Sequence, residues 1–233
     1  MGNSMNTTPK IYKMRIAFTV AGVWDHKRIF SALREMILAS GLPFEPAKVN
    51  KHWPRLAYGP ALGYKQYSLG ELADLYFTAP VKEADAQAAF VKSAPDGVRV
   101  LRVQRVPYAL PSVSSLAEVM QYSVQGDFSF YTPACCAEEF FRKEHLYVTV
   151  EAPSGMNLQQ DLKPFILQVV QPQTDKVELL LQRHGDKTVK PEHVIAAWLQ
   201  IPVPAEAEFT LAKLKFTREK LYWRDGEGNL HTL

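Results

Sequence analysis

Apolar and polar residues alternate with a period of two along residues 13–20 and again along residues 98–106. The apolar members of the first stretch are Met14, Ile16, Phe18 and Val20. In the second stretch the valines are interleaved with Arg99, Arg102 and Arg105. Such alternation is typical of a strand with one face on a core. We therefore predict one strand near the start of the chain and another that ends at residue 106.

Helical spacing separates these two strands. Apolar residues recur three and four positions apart along residues 26–40, and Gly41 and Pro43 then favour the end of a helix. Residues 83–93 are rich in helix-forming residues and predict a second helix. Residues 55–58 and 69–78 are expected to pair as a hairpin between the two helices. The resulting order is β-α-β-β-α-β, the split pattern of a ferredoxin-like fold.

The second half of the chain repeats this order of elements. Strands are predicted at residues 119–130, 146–151, 165–170 and 177–182, with one or two more within 209–223. Helices are predicted to start at Pro133 and Pro191. We therefore expect an α+β protein of two tandem ferredoxin-like (βαββαβ) lobes with antiparallel sheets. The expected divisions are a disordered leader over residues 1–12, lobe 1 over 13–107, a proline-containing linker over 107–111, and lobe 2 over 112–233.

Composition limits the compartment and the chemistry. Adjacent cysteines, such as Cys135 and Cys136, rarely reach disulfide geometry, so reduced thiols and a cytoplasmic location are expected. No apolar run approaches the ~20 residues of a membrane helix. The sequence has neither a CxxC pair nor the phosphate loops GxxxxGK and GxGxxG, so neither a metal nor a cofactor is predicted. Asp74 and Asp161 are isolated carboxylates, which we interpret as solvent-facing or capping residues.

The segment of residues 48–63 mixes cations with aromatic rings. The net charge of the chain is only +3, but residues 10–65 contain ten Lys or Arg against three Asp or Glu. Cations can bind phosphates and aromatic rings can stack on unpaired bases. The predicted nucleic-acid-binding residues are Lys48, Lys51, His52, Trp53, Arg55, Tyr58 and Lys65. The structural alternative is a turn fixed by prolines and glycines, with Tyr58 in the core.

Two further features allow alternative interpretations. The basic run of residues 213–224 is either a solvated strand face or a second basic binding face. His26, at the start of the first predicted helix, and His52, in the basic segment, are candidate catalytic bases. A histidine at a helix start is also compatible with simple exposure to solvent.

Several strings resemble a family of uncharacterised proteins fused to, or encoded beside, radical SAM proteins. The similar strings are MRIAFTVAG (14–22), HKRIFSALREMILASGLPF (26–44), PRLAYGPAL (54–62), DLKPFI (161–166), VKPEHVIAAWL (189–199) and FTREKLYW (216–223). The chain departs from the family pattern at Arg28, where the family has aspartate. It also departs at residues 50–54, NKHWP, which contain one inserted residue. The CxxxCxxC cluster ligands of the radical enzymes are absent.

This resemblance implies an accessory module without redox chemistry, which binds RNA or a radical SAM partner. Two alternatives remain open. One is a metal-independent RNA-processing enzyme that uses His26 or His52, and the other is a protein-interaction scaffold. The leading interpretation is a cytoplasmic accessory protein rather than an enzyme, with no membrane partner.

Overall fold

A computed structural model describes residues 10–21, 24, 26–63, 65–130, 136–151, 157–201 and 211–233. The helices are α1 (His26–Ala39), α2 (Glu83–Ser93), α3 (Val113–Leu116), α4 (Ala137–Phe141) and α5 (Pro191–Trp198). The strands are β1 (Tyr12–Val20), β2 (Leu56–Tyr58), β3 (Tyr67–Phe77), β4 (Val98–Val106), β5 (Val119–Gln125), β6 (Tyr147–Glu151), β7 (Asn157–Asp161), β8 (Ile166–Gln173), β9 (Lys176–Gln182), β10 (Lys215–Arg224) and β11 (Leu230–Thr232). Most of the predicted leader, Cys135 and the predicted helix start at Pro133 lie outside the described residues, while Cys136 is an exposed free thiol.

Nine of the described strands form one mixed sheet. Its main order is β4-β1-β3-β10-β5-β9-β8, with β2 paired to β3 and β11 paired to β10. The other two described strands, β6 and β7, form a separate antiparallel pair. The prediction of an α+β protein is therefore confirmed. The sheet is mixed rather than purely antiparallel, because β3 and β10 run parallel where they pair.

The chain divides into two compact units. Unit 1 comprises residues 1–61 and 70–116, and unit 2 comprises residues 62–69 and 117–233. Strand β3 contributes to both, since residues 67–69 belong to unit 2 and residues 70–77 to unit 1.

Unit 1 follows the predicted order of elements. The antiparallel pairing of β2 with β3 confirms the predicted hairpin, and β1 pairs with β4. Helix α1 buries Ile29, Ala32, Leu33, Met36 and Ile37. The apolar face of β1 is buried as expected, but so is its basic face, where Lys13 is 2% exposed and Arg15 is 6% exposed. The basic face is buried because the segment after β4 covers it: Lys13 Nζ donates to the carbonyls of Leu110 (2.6 Å) and Pro111 (3.1 Å).

Unit 2 carries four strands of the sheet in the order β10-β5-β9-β8. Strand β5 is antiparallel to both of its neighbours, β10 and β9. In a split βαβ unit, the two strands joined by the crossover are parallel to each other and an antiparallel strand lies between them. Here β9 lies between β5 and β8 and is antiparallel to both, and the chain between β5 and β8 contains the five-residue helix α4 and the β6–β7 hairpin. Because nine of the described strands form one mixed sheet, the finer prediction of two tandem ferredoxin-like lobes with antiparallel sheets is not confirmed.

Residues 62–69 lie in unit 2 although the flanking residues belong to unit 1. Gln66 is 1% exposed, and its Nε2 donates to both carboxylate oxygens of Glu192, at 2.7 and 2.9 Å. Glu192 lies in the first turn of α5, which begins at Pro191 as predicted. Tyr67 and Ser68 then pair with Thr217 and Arg218 of β10.

Candidate nucleic-acid interface

The predicted basic loop is an ordered arm, which we define as residues 44–55. Its two sides pair through backbone hydrogen bonds from Arg55 N to Glu45 O (2.7 Å) and from Ala47 N to Trp53 O (2.8 Å). Pro46 and Pro54 face each other as an isolated bridge. Since proline has no N–H, the arm uses the N–H groups beside each proline for its hydrogen bonds. Proline therefore stiffens the arm without leaving its backbone unpaired.

The base of the arm is attached to strand β3. Glu45 N donates to Tyr76 O at 2.7 Å, and Phe44 forms a bridge with Phe77. At the tip, the Asn50 side chain accepts a hydrogen bond from His52 N at 3.0 Å, and its carbonyl accepts one from Trp53 N at 3.1 Å. This Asx turn closes the tip. The arm is therefore fixed at its base by β3 and at its tip by the Asx turn.

The tip of the arm presents positive charge to solvent. Lys48, Lys51 and His52 are all exposed, and Val49 between them is fully exposed. No carboxylate of the described residues lies within ion-pairing distance of Lys48 or Lys51. Both lysines are thus exposed to solvent, and their contact with an anion stays a prediction.

Trp53 packs against a cation that sequence reasoning missed. The Arg34 guanidinium of α1 lies 5.5 Å from the Trp53 ring centroid and 4.2 Å from that of Phe30. Trp53 and Arg34 are both half-buried. Phe30 and Arg34 are four residues apart, so they occupy the same face of α1, and that spacing was the available signal. Nothing in the sequence around Trp53 indicated that its ring would lie beside Arg34.

Arg55 forms a second cation–aromatic cluster, on β3 and the segment after β4. Its guanidinium lies 4.1 Å from the Tyr76 ring centroid and 5.9 Å from that of Tyr108, and Nη1 donates to the Tyr108 hydroxyl at 3.5 Å. Burial, with the nearby Asp74 carboxylate, raises the pKa of the Tyr76 phenol. Tyr76 therefore stays neutral at physiological pH, and Arg55 retains an uncompensated positive charge beside it.

Asp74 compensates a different pair of cations. It is completely buried, which corrects its interpretation as a solvent-facing or capping residue. Its carboxylate accepts from Arg15 Nε at 2.7 Å and from Val113 N at 2.8 Å, and lies 3.2 Å from Lys13 Nζ. Lys13 and Arg15 are thus part of the core of unit 1. Their charges are therefore not presented to a partner.

Tyr58 and His26 contact each other away from the tip. Tyr58 is 5% exposed, its hydroxyl donates to Glu71 Oε2 at 2.6 Å, and its ring stacks on His26 with centroids 4.9 Å apart. Glu71 is completely buried. Tyr58 is therefore part of the unit 1 core, which leaves Trp53 as the predicted stacking ring. His52 lies at the exposed tip, and the described contacts do not join it to His26.

The last predicted binding residue, Lys65, belongs to unit 2. It is exposed and has a positive φ of 63°. The remaining carboxylate prediction, Asp161, differs from Asp74 in its outcome. Asp161 caps the backbone N–H groups of Leu146 and Lys163, as one interpretation proposed.

Within the described ranges, no group of three or more His, Cys, Asp or Glu side chains could hold a metal ion. In the same part of the chain, no helix is both long and apolar enough to cross a membrane. The described site therefore consists of cations and aromatic rings.

Fold and site define an α+β protein with a large mixed sheet and a stiff, cationic arm. Residues 49–191 match the model of a family described as an uncharacterized protein conserved in bacteria (DUF2344). The chain belongs to this family, which confirms membership of an uncharacterised bacterial family. Nothing in the match links the family to radical SAM proteins. A comparison with curated proteins found no match.

Proposed function

We propose that this protein binds single-stranded RNA in the cytoplasm through the arm of residues 44–55 and the adjoining end of α1. One observation carries the proposal: four cations of this region, Lys48, Lys51, Arg34 and Arg55, have no carboxylate partner among the described residues. Two of them stack on aromatic rings instead. Stacked guanidinium groups keep their N–H donors in the ring plane, where phosphate oxygens can accept them.

The arm favours single strands over duplexes. Half-buried Trp53 offers a ring on which an unpaired base can stack, while Lys48 and Lys51 supply sequence-independent contacts to phosphates. A double helix has no splayed base for Trp53 to contact. We therefore expect tighter binding to unstructured RNA than to a duplex of the same length.

The test is a salt titration of binding to an unstructured RNA oligonucleotide. Each phosphate contact contributes about 0.7 to the slope of log affinity against log salt for a single strand. Lys48→Ala combined with Lys51→Ala should therefore flatten the slope by about 1.4. Trp53→Ala should weaken binding by roughly 5- to 150-fold without flattening the slope, since stacking contributes ~1–3 kcal/mol per base.

The matched control is Lys82→Ala combined with Lys92→Ala. These lysines are exposed on and beside α2, so the double variant loses the same charge away from the arm. Its slope should stay at the parent value. An equal flattening in both double variants, or no salt-sensitive affinity in the parent, would overturn the proposal.

We also infer that the protein acts as an accessory module beside a radical SAM protein. The resemblance of its strings to the radical SAM-linked family supports this inference. Co-purification of the two proteins, with and without nuclease, provides the test. Capture that survives nuclease and is lost in the Lys48→Ala/Lys51→Ala variant would instead identify the arm as a protein-docking surface.

The element order of unit 1 supports a ferredoxin-like lobe as a structural proposal. Its strands lie in the order β4-β1-β3-β2, and helices follow β1 and β3. An experimental structure in which β1 and β3 run parallel would exclude this lobe, because a ferredoxin-like sheet is antiparallel throughout.

A further inference from the structure

One face of the unit 2 sheet carries a cavity that the arm does not use. The opposite face holds the core, where Tyr122 and Val124 are buried. On the cavity face, Gln121 pairs with Leu180 across β5 and β9, and Ser123 pairs with Glu178. Residues two apart on a strand share a face, so Gln121, Leu180 and Glu178 point the same way. A cavity of about 220 Å³ lies against them.

The floor of the cavity is apolar. Val170, Leu180 and Leu230 line it and are each half-exposed. Apolar side chains at such positions favour a flat, uncharged ligand that removes them from water. The cavity is smaller than the ~300 Å³ lower bound of typical ligand pockets, so it fits one ring system rather than a large molecule.

The polar lining offers a fixed donor beside an acceptor. The Tyr222 hydroxyl donates to Gln121 Oε1 at 2.6 Å, so the amide –NH₂ of Gln121 is the group that remains to donate to a ligand. Glu178 Oε1 accepts from Lys176 Nζ at 2.6 Å. The other Glu178 oxygen makes no hydrogen bond within the described part of the chain. Amide donors and a carboxylate acceptor therefore flank the apolar floor.

We propose that this cavity binds a guanine base. Guanine presents a carbonyl acceptor, O6, next to two donors, N1–H and the N2 amino group. The carbonyl suits the Gln121 amide, and a carboxylate such as Glu178 can accept from both donors. Adenine and cytosine each present one amino group on this edge, and uracil presents one ring N–H, so each makes fewer hydrogen bonds to the carboxylate. The proposal goes beyond RNA binding by the arm, because a free nucleoside needs no contact with the arm.

The experiment is saturation-transfer NMR and calorimetry of the full chain with guanosine, adenosine, cytidine and uridine at high salt. High salt suppresses contacts to phosphates and the nucleosides carry none. Guanosine should bind about 3- to 10-fold more tightly than the other three, the effect of one or two additional hydrogen bonds. Absence of guanosine binding, or equal binding of all four, would refute the proposal.

Variants identify the site. Glu178→Gln and Gln121→Leu should each weaken guanosine binding by about tenfold, since each removes hydrogen bonds to the base. Gln125→Leu is the matched control, because Gln125 lies on the same face of β5 but outside the cavity lining. Circular dichroism should show native folding of all three. Unchanged guanosine affinity in folded Glu178→Gln and Gln121→Leu would exclude this cavity.

The two proposals fail separately. Lys48→Ala/Lys51→Ala should bind guanosine like the parent. Guanosine binding without salt-sensitive RNA affinity would overturn only the arm proposal, whereas the reverse result would overturn only the guanine site.

Discussion

Asp74 shows how a single residue can hold together a buried group of charges. One carboxylate faces two cations, Lys13 and Arg15, and also accepts the backbone N–H of Val113. Asp74→Asn should therefore lower the free energy of unfolding by about 3–5 kcal/mol, because it leaves two buried cations without a counter-charge. Urea denaturation followed by circular dichroism measures this loss.

Asp96→Asn is the control for charge. Asp96 is exposed in the turn before β4, so its neutralisation should change the unfolding free energy by no more than about 0.5 kcal/mol. If Asp74→Asn were as mild as this control, the Lys13–Asp74–Arg15 group would not stabilise the core of unit 1.

His145 and Asp161 form a pH-sensitive pair beside the β6–β7 hairpin. The hydrogen bond from His145 to Asp161, 2.8 Å long, raises the pKa of His145 above its usual 6.5. Burial raises the pKa of Asp161, but its hydrogen bonds to His145 and to backbone N–H groups outweigh this effect, and the pKa falls below 3.8. The stabilising effect of the raised His145 pKa is complete below pH 6.5 and is lost as the pH rises through the folded-state pKa. The effect of Asp161 is lost as the pH falls through its own lowered pKa.

NMR titration of the histidine ring protons measures both the pKa and its cause. The His145 midpoint should lie above 6.5 and return toward 6.5 in Asp161→Asn. His193 is an internal reference of opposite sign, since burial and Lys190 lower its pKa to about 4. A His145 midpoint that Asp161→Asn does not move would contradict the pairing.

Among the turns that join elements, the one between α2 and β4 depends on close approach. Gly97 has a φ of +87°, and an added Cβ would lie 3.0 Å from Ala21 O and 3.1 Å from Trp24 Nε1. Gly41 also has a positive φ, +68°, but open space surrounds its Cβ position. Gly41→Ala should therefore cost about 1–2 kcal/mol for backbone conformation alone, and Gly97→Ala should cost about 1–3 kcal/mol more for crowding.

Thermal or urea unfolding of the two glycine variants gives the comparison. Equal losses in both would mean that the chain around Gly97 relaxes to admit the methyl group. A larger loss for Gly97→Ala would assign the difference to the contact of this turn with the segment after β1.

Periodicity predicted the elements of unit 1 because their signals are local. Alternation identified β1 and β4, helical spacing identified α1 and α2, and the β2–β3 hairpin joins near neighbours. The same reasoning missed β7, whose sequence NLQQD has a single apolar residue. It extended β5 to residue 130, where the chain instead forms a short 3₁₀ turn at Phe128–Phe130.

Strand pairing over long distances was beyond sequence reasoning. The antiparallel match of β5 with β9 and the parallel match of β3 with β10 join segments far apart in the chain. The same limit applied to the site. Lys48, Lys51 and Trp53 were identifiable from composition, whereas Arg34 and Tyr108 depend on contacts that only the folded chain creates.

At the scale of the whole molecule, Gln66 attaches residues 62–69, which the chain enters and leaves through unit 1 segments, to helix α5 of unit 2. Gln66→Ala removes two hydrogen bonds to Glu192, so it should cost about 1–3 kcal/mol. Hydrogen exchange should accelerate in α5, more than a hundred residues away in sequence, because Glu192 lies in its first turn.

The exposed Gln125 provides the control, since Gln125→Ala makes the same chemical change without breaking a described side-chain hydrogen bond. Exchange in α5 should match the parent in this variant. Protection of α5 that Gln66→Ala leaves intact would show that residues 62–69 are dispensable for that helix.

The shared strand β3 has a consequence for anyone who divides this protein. No single cut separates the two units. A cut after residue 116 leaves the C-terminal fragment without Leu62–Leu69, and the N-terminal fragment retains the first residues of β3, which belong to unit 2. A fragment that contains all of unit 2 would therefore need residues 62–69 joined to residues 117–233, either directly or by circular permutation of the chain. Natural recombination at that boundary would meet the same obstacle, so the two units are expected to be inherited together.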